Sequence, residues 1–296
     1  MEQLEEHLGK LPVFFETVRQ GSIRSAAKTL GRSQPAVSRI IRVLEEAVGT
    51  RLFVRGQEGV SLTPMGERLF EFADRMRAQL RDLAGGGEDK RIRQQVCLGS
   101  YDSIAIYFFP PFLKYAESHE EGLEITLYTE RSPTLVDSLL RSQVDIIISV
   151  KPQERRNIRS TLLYTDEYRV YRRPDLVPTP RSPVITVPAA TDQEGRPVAD
   201  HLTTSVYARR RRFLSQSFEL VSALTVAGLG LGIAPTRVAA KAVERGDLIE
   251  HIPDDGPPWR FGLHRICVSY HSHREGDPGI EWIHRTLHEF ESSKML

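Results

Sequence analysis

The sequence predicts an α/β protein with a helical N-terminal domain, a linker helix and a two-lobed C-terminal α/β domain. Three observations predict this arrangement. Two short helices flank a glycine-containing turn between residues 21 and 55, a long helix with an apolar stripe follows, and strands alternate with helices after the run Gly85, Gly86 and Gly87. A chain of 296 residues, 40% of them hydrophobic, can bury more than one core.

A turn, a cap and a two-sided helix predict the N-terminal pair. Gly31 can adopt the positive φ of the turn, Ser33 suits the N-cap, and Pro35 fits the first turn of a helix that reaches about residue 48. Small residues in the preceding helix allow close packing, as a helix-turn-helix requires. The apolar face of the second helix carries Val37, Ile40, Ile41, Leu44 and Val48. The opposite face carries Pro35, Ser38, Arg39 and Arg42.

Positive charge is concentrated in this segment. Residues 19–55 contain eight basic and two acidic residues, a net charge of +6, whereas the whole chain carries +1. A basic surface of this kind suits the phosphate backbone of nucleic acid. The alternative is a solvated amphipathic helix in a metabolic enzyme, which requires the turn, the face and the charge to coincide by accident.

The segments GSIRSAAKTLGRSQPAVSRIIRVLEEAVGTRLFVR and VSLTPMGERL resemble the N-terminal signature of the LysR-type transcriptional regulators, over residues 14 to about 69. The resemblance implies an all-α winged helix-turn-helix over 1–63 that binds double-stranded DNA, with the recognition helix starting at 33–39. It also implies a homodimer or homotetramer, with RNA polymerase as a candidate further partner. The DNA-binding residues carried over are Arg24, Ser33, Gln34, Pro35, Ser38, Arg39, Arg42, Arg51 and Arg55.

The chemistry of these side chains agrees with the implied roles. Gln34 can bond adenine bidentately, and Arg39 suits guanine or phosphate. Arg55 would lie in the flanking wing. A second group, Arg24, Arg42 and Arg51, could equally be surface or ion-pairing residues.

A long helix is predicted from Thr63, a suitable N-cap, and Pro64, a suitable first residue, to about residue 84. Its apolar stripe consists of Met65, Leu69, Phe72, Met76, Leu80 and Leu83. Because the stripe has no obvious partner within the chain, we expect residues 64–87 to form a dimerising linker helix and hinge. The alternative is a helix folded back on its own domain.

Composition limits location and redox chemistry. The sequence has no secretory leader and no apolar run of roughly 18 residues, so we expect a cytoplasmic protein with no membrane partner. Its two cysteines, Cys97 and Cys267, lie in apolar, strand-like segments, which favours buried free thiols over a redox pair.

Beyond the glycines, the strands VCLGS, EITLYT and DIIISV alternate with helices at about 103–117 and 133–142, an order that predicts a parallel sheet. Further strands in RVYRR, PVITV, GIAP and RICVSY, and helices in SFELVSALTVAGL and at about 278–292, complete the domain. It resembles the family's effector-binding domain, a two-lobed fold akin to periplasmic binding proteins, over 88–296. One lobe would hold 96–165 and 263–292, and the other 166–262. The resemblance is poor over the proline-rich 174–197, where no long helix is expected.

Such domains bind small molecules where strand ends and helix N-termini converge. The candidate effector-binding residues are Tyr101, Asp102, Ser103, Arg131, Ser132, Ser149, Thr203, Thr204 and Phe218. Asp102 and Ser132 could instead cap helices. Together, Asp102 and Arg131 favour a zwitterionic effector over a purely anionic one.

Other motifs in the sequence are weaker indications of a function. GLGLG at 228–232 follows a helix and precedes a strand, the reverse of a nucleotide-binding loop. His271 and His273, and likewise His284 and His288, could share a face, but no acid or thiol is spaced to complete a zinc site. We therefore expect exposed histidines, no metal and no cofactor. The arginine run at 209–212 suits a solvated surface, and no grouping suits catalysis.

The sequence thus predicts a DNA-binding transcriptional regulator, not an enzyme, that senses a small-molecule effector in an interlobe cleft. One alternative is a regulator whose C-terminal domain responds to a protein partner or to no ligand. Another is an α/β small-molecule-binding protein whose basic helix is incidental.

Overall fold

The computed structural model describes residues 2–56, 59–84, 95–119, 124–130, 132–150, 155–179, 182–188, 212–252, 261 and 263–294. The N-terminal domain is built from helices and a hairpin. The helices are α1 (Glu2–Glu5), a 3-10 turn (Leu8–Lys10), α2 (Leu11–Gln20), α3 (Ile23–Thr29) and α4 (Gln34–Val48). The hairpin pairs β1 (Phe53–Gly56) with β2 (Gly59–Leu62) in antiparallel fashion. This is the winged helix-turn-helix that the sequence predicted.

Local signals determine where α4 begins and ends. Ser33 Oγ accepts a hydrogen bond from the backbone N of Ala36 at 3.4 Å, Gly31 has φ 62° and Gly49 closes the helix with φ 77°. An N-cap of this type contributes about 1 kcal/mol to stability. The predicted turn and N-cap are therefore confirmed.

Helix α5 (Pro64–Ala84) leaves this domain, and Thr63 Oγ1 accepts from Gly66 N at 3.0 Å as its N-cap. The predicted stripe is divided. Leu69 is buried in the core of the N-terminal domain, whereas Phe72 and Leu80 are 42% and 55% exposed. Phe70, next to the stripe, stacks on Phe15 with ring centroids 4.9 Å apart. The expectation that the stripe lacks an intrachain partner is wrong for Leu69, Met65 and Met76, because the helix turns this side toward its own domain.

The first lobe of the C-terminal domain contains a three-stranded parallel unit. Strands β3 (Gln95–Ser100), β4 (Glu124–Thr129) and β5 (Ile146–Val150) pair in the order β4-β3-β5, with helices α6 (Asp102–Glu117) and α7 (Ser132–Leu140) as crossovers. This confirms the predicted βαβαβ unit. An aromatic core supports it, since Phe108 lies 5.8 Å from Phe112 and 5.5 Å from Phe290 between ring centroids.

The second lobe continues the same sheet path. It contains β6 (Ile158–Arg172), β7 (Val184–Thr186), β8 (Arg212–Leu214), α8 (Phe218–Val226), β9 (Leu231–Pro235), α9 (Thr236–Glu244) and β10 (Ile249–Glu250). The chain then returns to the first lobe through β11 (Leu263–His271) and α10 (Pro278–Ser293). Strand β6 belongs to both lobes, because its first part pairs with β11 and residues Tyr168–Tyr171 pair with β9. It is the continuous backbone link between the two lobes.

Several smaller expectations can be compared with the structure. The two cysteines form no disulfide, and their strands β3 and β11 lie on opposite sides of β5, so at least two strand spacings separate them. Burial, and then the charge of Asp145, raise the pKa of Cys97 to about 11.

GLGLG joins α8 to β9, as expected of a turn. In the described part of 174–197 there is a short strand and no helix. Within the described chain, no helix is long and apolar enough to span a bilayer.

The N-terminal and C-terminal domains contact each other directly. Arg141 Nη1 donates to the carbonyl of Val18 at 3.3 Å, and Gln143 Nε2 donates to the carbonyl of Arg19. Both carbonyls belong to the last turn of α2, where a cation also complements the helix dipole. Ser142, between the two donors, has φ 50° and hydrogen-bonds Asp74 on α5 at 3.2 Å. The turn after α7 therefore docks the first lobe onto α2 and α5.

Candidate functional site

The outer face of α4 is the candidate nucleic-acid interface. Gln34, Pro35 and Arg39 are exposed and Ser38 is partly exposed, while Val37 on the opposite side is fully buried. Ser33 is exposed but already uses its hydroxyl as the N-cap. The buried side fixes the helix, so the polar side projects from a rigid element.

The basic residues around this face fall into two groups. Among the described residues Arg24, Arg39 and Arg42 form no ion pair, and all three are exposed. Arg51 Nη1 instead lies 2.9 Å from Glu45 Oε2, and the other carboxylate oxygen accepts from Leu52 N at 2.9 Å. Arg51 therefore braces α4 against the wing, the ion-pairing alternative left open by the sequence.

Arg55 lies on β1 of the wing, opposite Val60 in the register. Only its backbone is described, so the predicted contact of its side chain with DNA lies outside the described atoms.

The candidate effector cleft begins where the parallel strands end. Because β3, β4 and β5 run in parallel, their carboxyl ends share one edge, and α6 and α7 start there. Tyr101 precedes α6 and is half-buried, Asp102 in the first turn is exposed, and Ser103 is partly exposed. The side chain of Ser132 and residues Arg131, Thr203 and Thr204 lie outside what the structure describes.

Ser149 has to be removed from the predicted lining. It is 1% exposed, and its hydroxyl donates to the carbonyl of Val150 at 3.0 Å. It lies on an interior strand of the sheet, between β3 and β11, and is paired with Cys267. A hydroxyl that is buried and already bonded is not available to a ligand.

An aromatic group that was not predicted from the sequence lies where β6 passes from the first lobe into the second. The ring of Tyr168 on β6 is 5.7 Å from Phe218 and 4.9 Å from His264 between centroids, and its hydroxyl is 3.4 Å from His264 Nε2. Burial raises the pKa of Tyr168, with additional effects of Asp166 and Tyr101. Burial also lowers the pKa of His264 to about 4, against the opposing charge of Asp166. Phe218 therefore packs beside a neutral tyrosine–histidine pair.

Asp166 occupies the N-terminus of α9. Its carboxylate accepts from Thr236 N at 3.1 Å, from Arg237 N at 3.3 Å and from the Thr236 hydroxyl. This helix end could otherwise receive an anionic ligand group. Since Asp166 already fills it, this helix end is not available to an anionic ligand group.

A buried charge cluster joins α5 to the C-terminal domain. His273 Nε2 lies 2.6 Å from Asp74 Oδ2, and both side chains are 2% exposed. Arg274 Nη1 lies 2.9 Å from Asp145 Oδ1 and 3.7 Å from Asp74 Oδ2. Burial alone would raise the pKa of Asp74, but the His273 bond and the Arg274 charge outweigh it and lower that pKa.

This cluster was not predicted from the sequence, although Asp74, an acid on the inner side of the largely apolar face of α5, was a usable signal. The expectation that the histidines are exposed is wrong for His271 and His273. His271 is 4% exposed, and burial, followed by the charge of His273, lowers its pKa to about 3, so its ring is neutral.

Comparison with known proteins finds the same two domains. Residues 89–291 match the LysR substrate binding domain, and residues 8–67 match the bacterial regulatory helix-turn-helix proteins of the lysR family. The HTH-type transcriptional regulator YofA of Bacillus velezensis is 26% identical over 251 residues, covering 82% of this chain and 85% of YofA. LinR of Sphingobium indicum is 22% identical over 292 residues, or 94% of each chain.

Two solved structures share the fold. Full-length LysG from Corynebacterium glutamicum, with bound effector Arg, gives a TM-score of 0.69 at 19% identity and covers 97% of this chain and 98% of LysG. ArgP from Mycobacterium tuberculosis gives a TM-score of 0.70 at 19% identity, with 96% of each chain covered.

Fold and sites together define a DNA-binding transcriptional regulator with a C-terminal domain that binds a small-molecule effector. The matched domains span most of the sequence, and the chain belongs to the LysR family.

Proposed function

We propose that this regulator recognises its operator through the outer face of α4 and responds to a small zwitterion held between the lobes of its C-terminal domain. The observation that carries the proposal is the two-sided exposure of α4. Gln34, Pro35 and Arg39 are exposed, whereas Val37 and Ile41 are buried. A glutamine and an arginine on one rigid face can form bidentate bonds with adenine and guanine in the major groove.

We propose further that two copies pair through the exposed part of α5. Phe72 and Leu80 remain 42% and 55% exposed on a helix whose inner side packs on the N-terminal domain and, through Asp74, on the C-terminal domain. A homodimer, or a homotetramer made of two such dimers, would place recognition helices on half-sites one helical turn or a multiple apart.

The effector class follows from the charges around the cleft. Asp102 is exposed at the start of α6 and would attract a cationic group, while Asp166 already fills the N-terminus of α9. The N-termini of α6 and α7, together with Arg131 directly after β4, would hold an anionic group. LysG is described with bound effector Arg, which makes arginine a suitable first probe.

The cellular location and the protein partner that we propose follow from DNA binding. A protein that binds the chromosome of a bacterium works in the cytoplasm, and RNA polymerase is the partner through which it would change transcription. We propose no chemical reaction for this chain.

The DNA-binding part is tested by footprinting the region upstream of the chain's own gene, followed by fluorescence titration of the protected fragment. We expect Arg39→Ala to weaken binding about 10- to 100-fold, because one base-contacting arginine contributes roughly 1–3 kcal/mol. Arg265→Ala is the control, because it removes the same charge from an exposed position on β11. Normal operator affinity of the folded Arg39→Ala protein would remove this residue from the interface. An absence of any protected site would favour a ligand-binding protein with an incidental basic helix.

A further inference from the structure

We infer that the junction between α5 and the C-terminal domain is a binding site for a divalent transition metal, with Glu71, His271 and His273 as ligands. Each residue offers one ligand atom, and these atoms lie within 4.8 Å of one another. Glu71 comes from α5, His271 ends β11, and His273 lies in the 3-10 turn Ser272–Arg274. Three donors therefore converge from two domains.

The spacing is close to that of a tetrahedral centre. With metal–ligand distances of about 2.0–2.1 Å, the ligand atoms of such a centre are about 3.4 Å apart. The imidazole rings of His271 and His273 already have centroids 4.0 Å apart. Glu71 is only half-buried, so a change of its side-chain rotamer can bring the carboxylate the remaining distance.

His273 has the hydrogen bonding of a metal ligand. Its Nε2 lies 2.6 Å from a carboxylate oxygen of Asp74, and an ionised carboxylate only accepts, so Nε2 carries the proton. Its Nδ1 is buried and has no hydrogen-bond partner among the described residues. Histidine ligands commonly donate their second N–H to a carboxylate, which fixes the ring and its tautomer.

The position of Asp74 is itself fixed. The Ser142 hydroxyl donates to it at 3.2 Å, and Arg274 Nη1 lies 3.7 Å away. A buried nitrogen without a hydrogen-bond partner is destabilising, and coordination of a metal by Nδ1 would remove this cost. The sequence offered no acid spaced to complete this site with the histidines, because the third ligand comes from a helix far earlier in the chain.

The donor set selects the class of metal. Two imidazoles and one carboxylate suit Zn²⁺ and neighbouring divalent ions such as Co²⁺, whereas Mg²⁺ and Ca²⁺ prefer oxygen ligands alone. Because Glu71 lies on α5 and both histidines lie in the C-terminal domain, a bound ion would hold these two parts of the chain together. Occupancy would then stabilise the docked arrangement of the N-terminal domain.

The test uses the full-length chain after removal of metal with a chelator, and Zn²⁺ as the probe. We expect one Zn²⁺ per chain in a titration against a chromophoric zinc indicator, and a higher Tm in its presence. Glu71→Gln should weaken Zn²⁺ binding at least 10-fold and abolish the rise in Tm, and so should His271→Gln. The control is the double variant His284→Gln/His288→Gln, which alters the other histidine pair, whose ring centroids are 4.7 Å apart on α10.

Zn²⁺ binding by the variants distinguishes the proposed site from binding elsewhere on the chain. Loss of Zn²⁺ binding in Glu71→Gln but not in the α10 control supports the site. Undiminished binding in folded Glu71→Gln, loss of binding in the α10 control, or no stoichiometric binding to wild type would overturn it. If His271→Gln fails to fold, the half-buried ligand Glu71 still provides the test, because Glu71→Gln can be measured on its own. Wild-type protein loaded with Co²⁺ should also show visible bands of a low-coordinate ion, and octahedral bands only would count against the proposal.

Discussion

At the scale of single residues, the buried Asp166 and the largely buried Asp145 take part in contacts that join elements of the C-terminal domain. Asp145 accepts from Cys97 N at 2.8 Å and pairs with Arg274, so it links β3 to the turn after β11. Asp166 on β6 caps α9. Both carboxylates have hydrogen-bond donors in place of water, which is how a fold keeps an acid buried without a large cost. His264 differs, because burial disfavours its charged form.

The first prediction concerns His264 and the dependence of stability on pH. Its pKa is lowered to about 4 in the folded chain, below the ordinary value of 6.5. Between these values the unfolded chain binds a proton that the folded chain does not, so the free energy of unfolding falls as the pH falls. The contribution of His264 should decrease by roughly 2 kcal/mol from pH about 7 to about 5.

Denaturant titrations at the two pH values measure this loss, and His264→Gln should show a smaller one. Equal losses in wild type and variant would show that His264 does not carry this part of the pH dependence.

At the scale of helices and strands, the elements with local signals were predictable from the sequence. Helices α4 and α5 have their N-caps in the adjacent residue, and the structure shows both caps. Helix α9 was missed, because its N-terminus is capped by Asp166 from another strand and by no side chain of its own N-cap residue. The first half of β6 was missed because its pairing partner, β11, is about a hundred residues away in sequence.

In the candidate sites too, local features were predictable from the sequence and contacts between distant segments were not. The outer face of α4 follows from helical periodicity alone. The Tyr168–His264 pair and the Asp74–His273 pair depend on contacts between distant segments, so the sequence pattern could not bring them together.

The second prediction concerns α5 as the dimer interface. Phe72→Glu/Leu80→Glu places charges on two exposed apolar positions of this helix and should raise the dimer dissociation constant about 30-fold or more, as expected when a central interface residue is lost. Sedimentation equilibrium measures this constant. Val177→Glu, at a position that is 79% exposed in the second lobe, is the matched control. A double variant that remains as dimeric as the control would place the interface elsewhere.

At the scale of the whole molecule, the contacts suggest how a ligand could act on DNA binding. The first lobe docks onto α2 through Arg141 and Gln143 and onto α5 through His273, so we expect it to move together with the N-terminal domain. The second lobe is joined to it through the continuous strand β6. A ligand that closes the lobes would therefore act on a unit that already includes α5. We expect a changed half-site spacing or DNA bend instead of simple release.

The last prediction concerns the effector itself. A zwitterion should place its cationic group at Asp102 and its anionic group at the N-termini of α6 and α7, so purely anionic dicarboxylates should bind poorly. Once a thermal-shift screen that starts with arginine has identified a ligand, calorimetry on Asp102→Asn should show about 10- to 100-fold weaker binding, the value of one charged hydrogen bond. Glu117→Gln, at the opposite end of α6, should bind normally. If Asp102→Asn binds the verified effector as tightly as wild type, Asp102 only braces the lobe, through Arg131 or the helix dipole, and the cationic subsite lies elsewhere.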